Sequence, residues 1–417
     1  MNFTFSKRAR TLCTGILVLG LVLAAVGIIN DHTDHHQNTW AALFINGFFF
    51  FGISLGALFF FALQNATETS WSVMVKRVYE GIFSYLPIGA GVVVVVLAAG
   101  SMGLHHVWSW MDPAVITEGS DTYDAVVEHK MPFLNMPFFW FRVLGMYLPT
   151  FLFGAYWFRK QSLALDGMTG EALVKHHLLV YRRSALFLVL FAVLSSVMAW
   201  DWIMSIDVHW FSTLFGWYVF AGMWVGSMIC AVVLVMYLKS KGYLPQVNNS
   251  HIHDMGKWVF AVSFLWTYLY FSQFMLYWYS NIPEEVIYFK DRIDNHTWLM
   301  WGMFFVNFVV PMVLLMSRDA KRNPRLLIGV GTVIFIGHWL DLCQMVLPGA
   351  LGDHFHHIGL LEIGLFLTFL GVFMLRVLTT LTKAPLTPVN HPYLEESEHQ
   401  HIYENNGPPY RVNRASR

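Results

Sequence analysis

Ten runs of predominantly apolar residues dominate the sequence, and each is long enough to cross a bilayer as an α-helix. A hydrocarbon core about 30 Å thick needs about 20 helical residues, because each residue rises about 1.5 Å. Only 12% of the residues are charged and 56% are hydrophobic. The sequence therefore predicts an all-α polytopic membrane protein with ten transmembrane helices, numbered here as spans 1 to 10. Their predicted ranges are 9–29, 40–63, 82–104, 132–157, 184–204, 210–238, 256–281, 297–316, 325–346 and 358–381.

The basic residues predict the orientation of these spans. All but four of the 26 Lys and Arg residues lie at the two ends of the chain or in alternate loops. The four exceptions are Lys130, Lys290, Arg292 and, within span 4, Arg142. Loops rich in Lys and Arg stay cytoplasmic, so both termini are predicted to be cytoplasmic. The predicted domains are a ten-helix transmembrane domain, residues 1–383, and an extended cytoplasmic C-terminal arm, residues 384–417, expected to order only against partners.

The loops of the opposite, outer side are rich in histidine. They hold eleven of the 19 histidines: His32, His35, His36, His105, His106, His129, His209, His296, His354, His356 and His357. One interpretation is a solvated membrane interface anchored by Trp and Tyr side chains. The other is a docking surface for a periplasmic partner.

Charge and cysteine content exclude several classes of function. The 26 Lys and Arg balance 26 Asp and Glu, so the chain has no basic excess with which to bind nucleic acid. Cys13, Cys230 and Cys343 are isolated within apolar runs, which leaves no haem-attachment motif and no cysteine-ligated iron–sulfur cluster. The sequence predicts no cofactor bound covalently or by metal ligation, so redox chemistry would use the electron carriers of other subunits.

A weak internal repeat relates spans 2–5 to spans 6–9. Span 5 ends with AWDW (199–202) and span 9 contains HWLDL (338–342), each with a Trp shortly before an Asp. Membrane proteins with such repeats often place their sites at the repeat interface. The sequence predicts two pseudo-repeated four-helix bundles, spans 2–5 and spans 6–9, with spans 1 and 10 as flanking helices.

Ionisable side chains within the spans are the candidate site. Each costs roughly 2.5 to 3.5 kcal/mol on insertion scales, which makes such residues functional candidates. They are Arg142, Asp201, Asp207, His338, Asp341 and Glu362. Carboxylates and an imidazole in the outer half of one bundle are typical of a proton path. The structural alternative is that Arg142 pairs with Asp201 or Asp341 to fix helix packing, and that His338 is an ordinary core histidine.

Three strings carry a resemblance to a known family. They are AWDWIMSIDVHWFSTLFGWYVFAG (199–222), YLYFSQFMLYWYSNIPEE (268–285) and GHWLDLCQMVLP (337–348). The chain resembles, over its ten spans, the ActF subunits of bacterial alternative complex III, which are similar to the NrfD/PsrC membrane anchors. That resemblance implies two four-helix bundles with flanking helices, located in the bacterial cytoplasmic (inner) membrane.

The resemblance also implies partners and a role. The partners would be a paralogous ActC-type membrane subunit, an iron–sulfur and molybdopterin-like subunit, multihaem and monohaem c-type cytochromes, small anchor subunits, lipids and, in some assemblies, a haem-copper oxidase. The complex would oxidise quinol, such as menaquinol, and pass electrons to periplasmic cytochromes. In that family the quinol site is generally placed in ActC, whereas ActF is assigned scaffolding and proton conduction.

The residues are consistent with that division of roles. Asp201, His338 and Asp341 can act as bases, yet the chain has no redox centre, so proton movement is favoured over oxidation chemistry. Trp200, Phe274 and Trp339 form a candidate quinone pocket. Two alternatives stay open: a purely structural scaffold, and a solitary secondary transporter. The transporter is disfavoured because the sequence suggests no Gly- or Pro-broken helices at matched positions of the two repeats.

Overall fold

A computed structural model of the chain describes residues 2–399. Within that range the chain is helical and has no β-strand. Ten of the described helices are long and apolar enough to cross a membrane, so the predicted all-α polytopic membrane protein is confirmed. These spans are Lys7–Ile29, Asp34–Ala66, Trp71–Ser101, Met136–Leu165, Gly170–Ile206, Phe215–Ser240, Asn249–Ser280, Thr297–Leu314, Pro324–Leu351 and Leu360–Leu381.

Several spans are longer than their apolar runs. Span 5 begins at Gly170 rather than at the predicted residue 184, because its first turns are helical although polar. There the Glu171 carboxylate and the Lys175 ammonium lie 2.7 Å apart with the i, i+4 spacing that stabilises exposed helices. Apolar length therefore located the spans within the bilayer but not the ends of the helices.

The packing of the spans repeats between the two bundles. In the first bundle, span 2 packs against spans 3 and 5, and span 4 lies between spans 3 and 5. In the second bundle, span 6 packs against spans 7 and 9, and span 8 lies between spans 7 and 9. The two bundles meet where span 2 packs on span 6. They also meet where span 2 packs on span 9 and where span 5 packs on span 6, and these two contacts are equivalent because span 2 corresponds to span 6 and span 5 to span 9. Such reciprocity is what a pseudo-two-fold axis produces. The predicted division into spans 2–5 and spans 6–9 therefore agrees with the packing.

One corresponding span in each bundle contains a π-helical segment. Phe141–Tyr147 in span 4 and Phe305–Val309 in span 8 both have this wider turn. Each is followed two residues later by a proline, Pro149 or Pro311, which lacks the N–H of the normal helical ladder. Spans 4 and 8 each continue through this segment as one helix, so the matched feature is a local change of helical turn, which the sequence reasoning did not look for, rather than a helix break.

Spans 1 and 10 form a pair outside the two bundles, and span 10 packs on span 2. Glycines allow their backbones to touch: a Cβ at Gly364 would lie 2.4 Å from the Ala24 nitrogen, and one at Gly27 would lie 2.6 Å from the Leu361 Cα. Small residues at such contacts are typical of close helix pairs in membranes. Span 1 is thereby attached to the bundles through span 10.

The two ends of the described chain lie on one face. Asn2 and Pro385 form an isolated bridge, and the Val389 N–H donates to Asp166 Oδ1 at 3.0 Å. We call this side the basic face and the opposite side, which holds the histidine-rich loops, the histidine face. The prediction that the arm orders only against partners is wrong for residues 384–399, which pack on the basic face and include a short helix, Leu394–Glu398. Residues 400–417 of the predicted arm lie outside the described range.

Candidate functional site: buried charges of the two bundles

In the first bundle, the predicted residues Arg142 and Asp201 bind each other. The Arg142 Nε donates to one Asp201 carboxylate oxygen and its Nη2 to the other, both at 2.6 Å. This is the two-point geometry that matches a guanidinium to a carboxylate. Arg142 lies in the π-helical segment of span 4 and Asp201 near the end of span 5, so the pair joins two neighbouring helices.

Further contacts fix this pair in place. The Tyr147 hydroxyl also donates to Asp201, and Arg142 Nη2 donates to the Phe133 carbonyl at 3.1 Å. The guanidinium lies 4.1 and 4.2 Å from the ring centroids of Phe133 and Phe138. Asp201 is fully buried and has a cation on one side and a hydroxyl on the other. The structural alternative, a packing pair, describes this half of the candidate site.

In the second bundle, Asp341 occupies the position equivalent to Asp201 with different partners. The Tyr218 hydroxyl donates to its Oδ1, and the Trp266 indole N–H donates to its Oδ2 at 2.9 Å. In the described part of the chain no Lys or Arg forms an ion pair with Asp341. The imidazole of His338 also lies close to this carboxylate, with Nδ1 3.9 Å from Oδ2. Asp341 is thus a buried carboxylate held by neutral donors.

The imidazole of His338 is the second unusual buried group of this bundle. Both of its ring nitrogens are buried and lack a hydrogen-bond partner among the described residues. Gly222 faces it, so that even a Cβ there would stay 3.6 Å from Nδ1. The amide of Asn307, in the π-helical segment of span 8, is also buried without a partner and packs on Gly337, one residue before His338. The imidazole and the Asp341 carboxylate therefore lie close together without a hydrogen bond between them.

Asp207 has a partner that sequence reasoning did not select. Arg292, assigned there to an outer loop, lies on the surface helix Pro283–Asp294 but is almost fully buried. Its Nη2 donates to Asp207 Oδ2 at 2.9 Å, and its Nε donates to the Gln344 carbonyl at 3.2 Å. That carbonyl is free because Pro348, four residues further along span 9, has no N–H to donate. The proline within span 9 was the one sequence signal that could have indicated this contact.

Glu362 has a structural partner at the start of span 10. Its Oε2 accepts a hydrogen bond from the Gly359 N–H at 2.7 Å. An acidic side chain in the first turn that binds the backbone of the preceding residues is a usual helix cap. Asn46 of span 2 donates to the Glu362 carbonyl at 3.4 Å. The Glu362 carboxylate therefore serves the end of a helix.

The three aromatic residues of the candidate quinone pocket do not meet in the structure. Trp200 lines a cavity of about 220 Å³ between two loops of the histidine face. Phe274 lines a separate groove of about 490 Å³ beside the surface helix. Trp339 is buried, and its indole donates to Asn46 at 2.9 Å. We therefore derive no chemistry through a quinone on this chain.

A second buried charge cluster lies near the basic face and was missed in the sequence. Glu80 is fully buried; it accepts hydrogen bonds from Arg77 at 3.1 Å and from Ser162 at 2.5 Å, and lies 3.6 Å from Arg159. Arg77 also reaches Asp166, on which the C-terminal arm is bound, at 2.7 Å. The cluster joins spans 3 and 4 to the arm. Because these residues lie at the ends of apolar runs, they look in the sequence like the charged residues of ordinary loops.

The arm inserts a histidine beside this cluster. His391 is buried, its Nε2 lies 3.5 Å from Lys76 Nζ, and its ring contacts those of His177 and Tyr393. Burial, and then the positive charge of Lys76, lower the pKa of His391 from 6.5 to about 2. His391 is therefore neutral when the arm is docked.

Residues 2–399 contain no group of three or more His, Cys, Asp or Glu side chains arranged to hold a metal ion. Comparison with known proteins assigns no family, since no protein-family model and no curated protein matches the chain. The fold and the buried charges define a multi-pass helical membrane protein with a bidentate ion pair in one bundle and an unpaired carboxylate in the other.

Proposed function

We propose that the chain is a membrane subunit of a quinol-oxidising respiratory complex of the alternative complex III type, with a proton half-path in its second bundle. The observation that carries the proton half-path is Asp341, a buried carboxylate with neutral hydrogen-bond donors and an unpartnered imidazole within 4 Å. A buried carboxylate without a fixed cation binds and releases protons more readily than one in an ion pair. The family and the partners rest on the resemblance of the three quoted strings.

Contrast with the first bundle supports this assignment. Asp201 has the equivalent place but is neutralised by Arg142, so that protonating it would leave a buried guanidinium without its counter-ion. Protonation of Asp341 leaves no such charge behind. The proposed path therefore includes fewer residues than the six predicted. His338 and Asp341 exchange the proton, while Arg142, Asp201 and Glu362 hold the helices in place.

The orientation completes the proposal. Asp341 and Asp207 lie towards the histidine face, which the distribution of basic residues predicts to be periplasmic in the bacterial inner membrane. Protons would leave on that side. The electrons of quinol would pass through the redox centres of partner subunits, so this chain contributes proton conduction and a scaffold.

The first experiment tests the complex itself. The chain is purified gently from native membranes, and its partners are examined by a reduced-minus-oxidised spectrum and by mass spectrometry. We expect c-type haem absorption and an iron–sulfur subunit. A colourless single chain that transports a solute in liposomes would instead support a secondary transporter, for which the matched π-helical segments are the favouring observation.

The second experiment tests the role of Asp341 within that complex. Asp341→Asn keeps the side-chain size but prevents ionisation, and Glu362→Gln is the matched control because an amide oxygen still accepts the Gly359 N–H. In reconstituted vesicles we expect Asp341→Asn to lose most proton release per electron pair with the complex intact. Equal proton release in Asp341→Asn, in Glu362→Gln and in the unaltered complex would refute the proton half-path.

A further inference from the structure

Arg292 lies between Asp341 and the histidine face in an unusual environment. Although it belongs to a surface helix, it is only 1% exposed. Its guanidinium lies 3.4 Å from the ring centroid of Tyr288, and that ring stacks on Trp210 at 3.9 Å. Its three nitrogens donate to Asp207, to the Tyr288 carbonyl and to two carbonyls of span 9. The charge is thus held in place from every side.

Polar groups connect this guanidinium to Asp341. Trp266, which donates to Asp341, stacks on Tyr270 at 5.5 Å and an interplanar angle of 8°. The Tyr270 hydroxyl lies beside the Gln344 side chain and interacts with it, and neither this hydroxyl nor Gln344 Oε1 has another partner among the described residues. Gln344 lies one helical turn from Asp341, and its backbone carbonyl is bound by Arg292. Unpartnered polar atoms of this kind are the sites that internal water occupies.

Of the groups from Asp341 to the histidine face, namely Asp341, Trp266, Tyr270, Gln344, Arg292 and Asp207, only Asp207 is partially exposed. Its side chain is 23% exposed, whereas that of Arg292 is 2% exposed. The backbone of span 9 approaches the Asp207 carboxylate closely at Gly349. A Cβ atom added to Gly349 would lie 2.8 Å from that carboxylate. Along these groups, a proton that leaves the buried cluster towards the histidine face would pass the guanidinium before it reaches solvent beside Asp207.

We propose that Arg292 is an electrostatic valve at the exit of the Asp341 path, which keeps external protons out and is itself held in place by its ion pair with Asp207. This inference rests on the proposed proton half-path and on its continuation to the opposite face in the assembled complex, without which no proton crosses the membrane. A fixed positive charge in a narrow polar passage raises the barrier for cations and protons, as it does in membrane pores. The proton moves from the Asp341 carboxyl group through bound water past the guanidinium to the solvent beside Asp207, while Arg292 keeps its charge and its ion pair with Asp207.

The test measures passive proton leak in vesicles that contain the purified complex, without quinol and with a potassium gradient and an ionophore as driving force. A unit charge that acts over roughly 10 Å at an effective dielectric of about 20 changes the occupancy of a proton site about tenfold, which sets the scale of the expected effect. We expect Arg292→Gln to raise the leak about tenfold and Arg292→Lys to restore most of the barrier.

A double variant separates the valve from general damage. If the leak passes through Asp341, Arg292→Gln combined with Asp341→Asn returns it to the level of the unaltered complex. A leak that persists in the double variant would show that loss of Arg292 merely loosens the surface helix, and would overturn the proposal. An unaltered leak in Arg292→Gln would also overturn it, while the effect of Asp341→Asn on proton release, measured separately, decides the half-path itself.

Discussion

Removal of Arg142 should destabilise the membrane domain far more than removal of an exposed arginine. Arg142→Met keeps much of the aliphatic volume but leaves the Asp201 carboxylate buried with only the Tyr147 hydroxyl as a side-chain donor. Loss of one partner of a buried ion pair costs about 3 to 5 kcal/mol. Each hydrogen bond to a charged group contributes about 1.5 to 3 kcal/mol, so the two bonds to Asp201 alone account for this amount.

The predicted cost corresponds to a change of about two to three and a half decades in the unfolding equilibrium constant. It is measured by denaturant titration of the purified protein in mixed micelles, with tryptophan fluorescence as the signal. The double variant Arg142→Met, Asp201→Leu removes both charges, and we expect it to recover most of the loss because no unpaired charge remains.

Two results would refute this reasoning. One is a cost below about 1 kcal/mol for Arg142→Met, which is the range of exposed ion pairs. The other is a double variant whose cost equals the sum of the two single costs, since that additivity means the residues do not interact. Arg142→Lys gives a further check, because a lysine supplies the charge without the two-point geometry and should restore only part of the stability.

Two further predictions concern Glu362 and the C-terminal arm. Glu362→Gln should leave stability and proton release unchanged. Glu362→Leu loses the hydrogen bond to the Gly359 N–H and should lower the free energy of unfolding by about 1 kcal/mol, measured by thermal or denaturant unfolding. A proton-release defect in Glu362→Gln would place this carboxylate in the proton path. Because the pKa of His391 is depressed in the docked arm, docking is most stable above pH 6.5. As the pH falls towards the pKa of the docked histidine, the free energy of docking weakens by up to about 1.4 kcal/mol per pH unit. The protection factor for hydrogen exchange at the Val389 N–H, which is bonded to Asp166, should therefore fall below pH 6.5. The same pH dependence in His391→Gln would exclude this histidine as its cause.

The repeat was visible in the sequence only as a pair of short strings, yet it predicted the bundles correctly. AWDW and HWLDL place Asp201 and Asp341 at equivalent depths, and depth along a helix follows directly from residue count. The two carboxylates were for that reason treated alike. Their different roles follow from residues on other spans, Arg142 beside one and Trp266 beside the other, which no spacing within span 5 or span 9 reveals.

The ten spans and their all-helical nature were determined by the sequence alone, because a backbone in lipid must satisfy its own hydrogen bonds and apolar runs of about 20 residues do so as helices. Only the tertiary structure decided which buried charges are paired. A guanidinium on a surface helix, such as Arg292, is buried through contacts with Asp207 and with a carbonyl that Pro348 frees. Pairing depends on distances of a few ångströms between helices far apart in sequence, and hydrophobic pattern fixes only the position of each residue along its own helix.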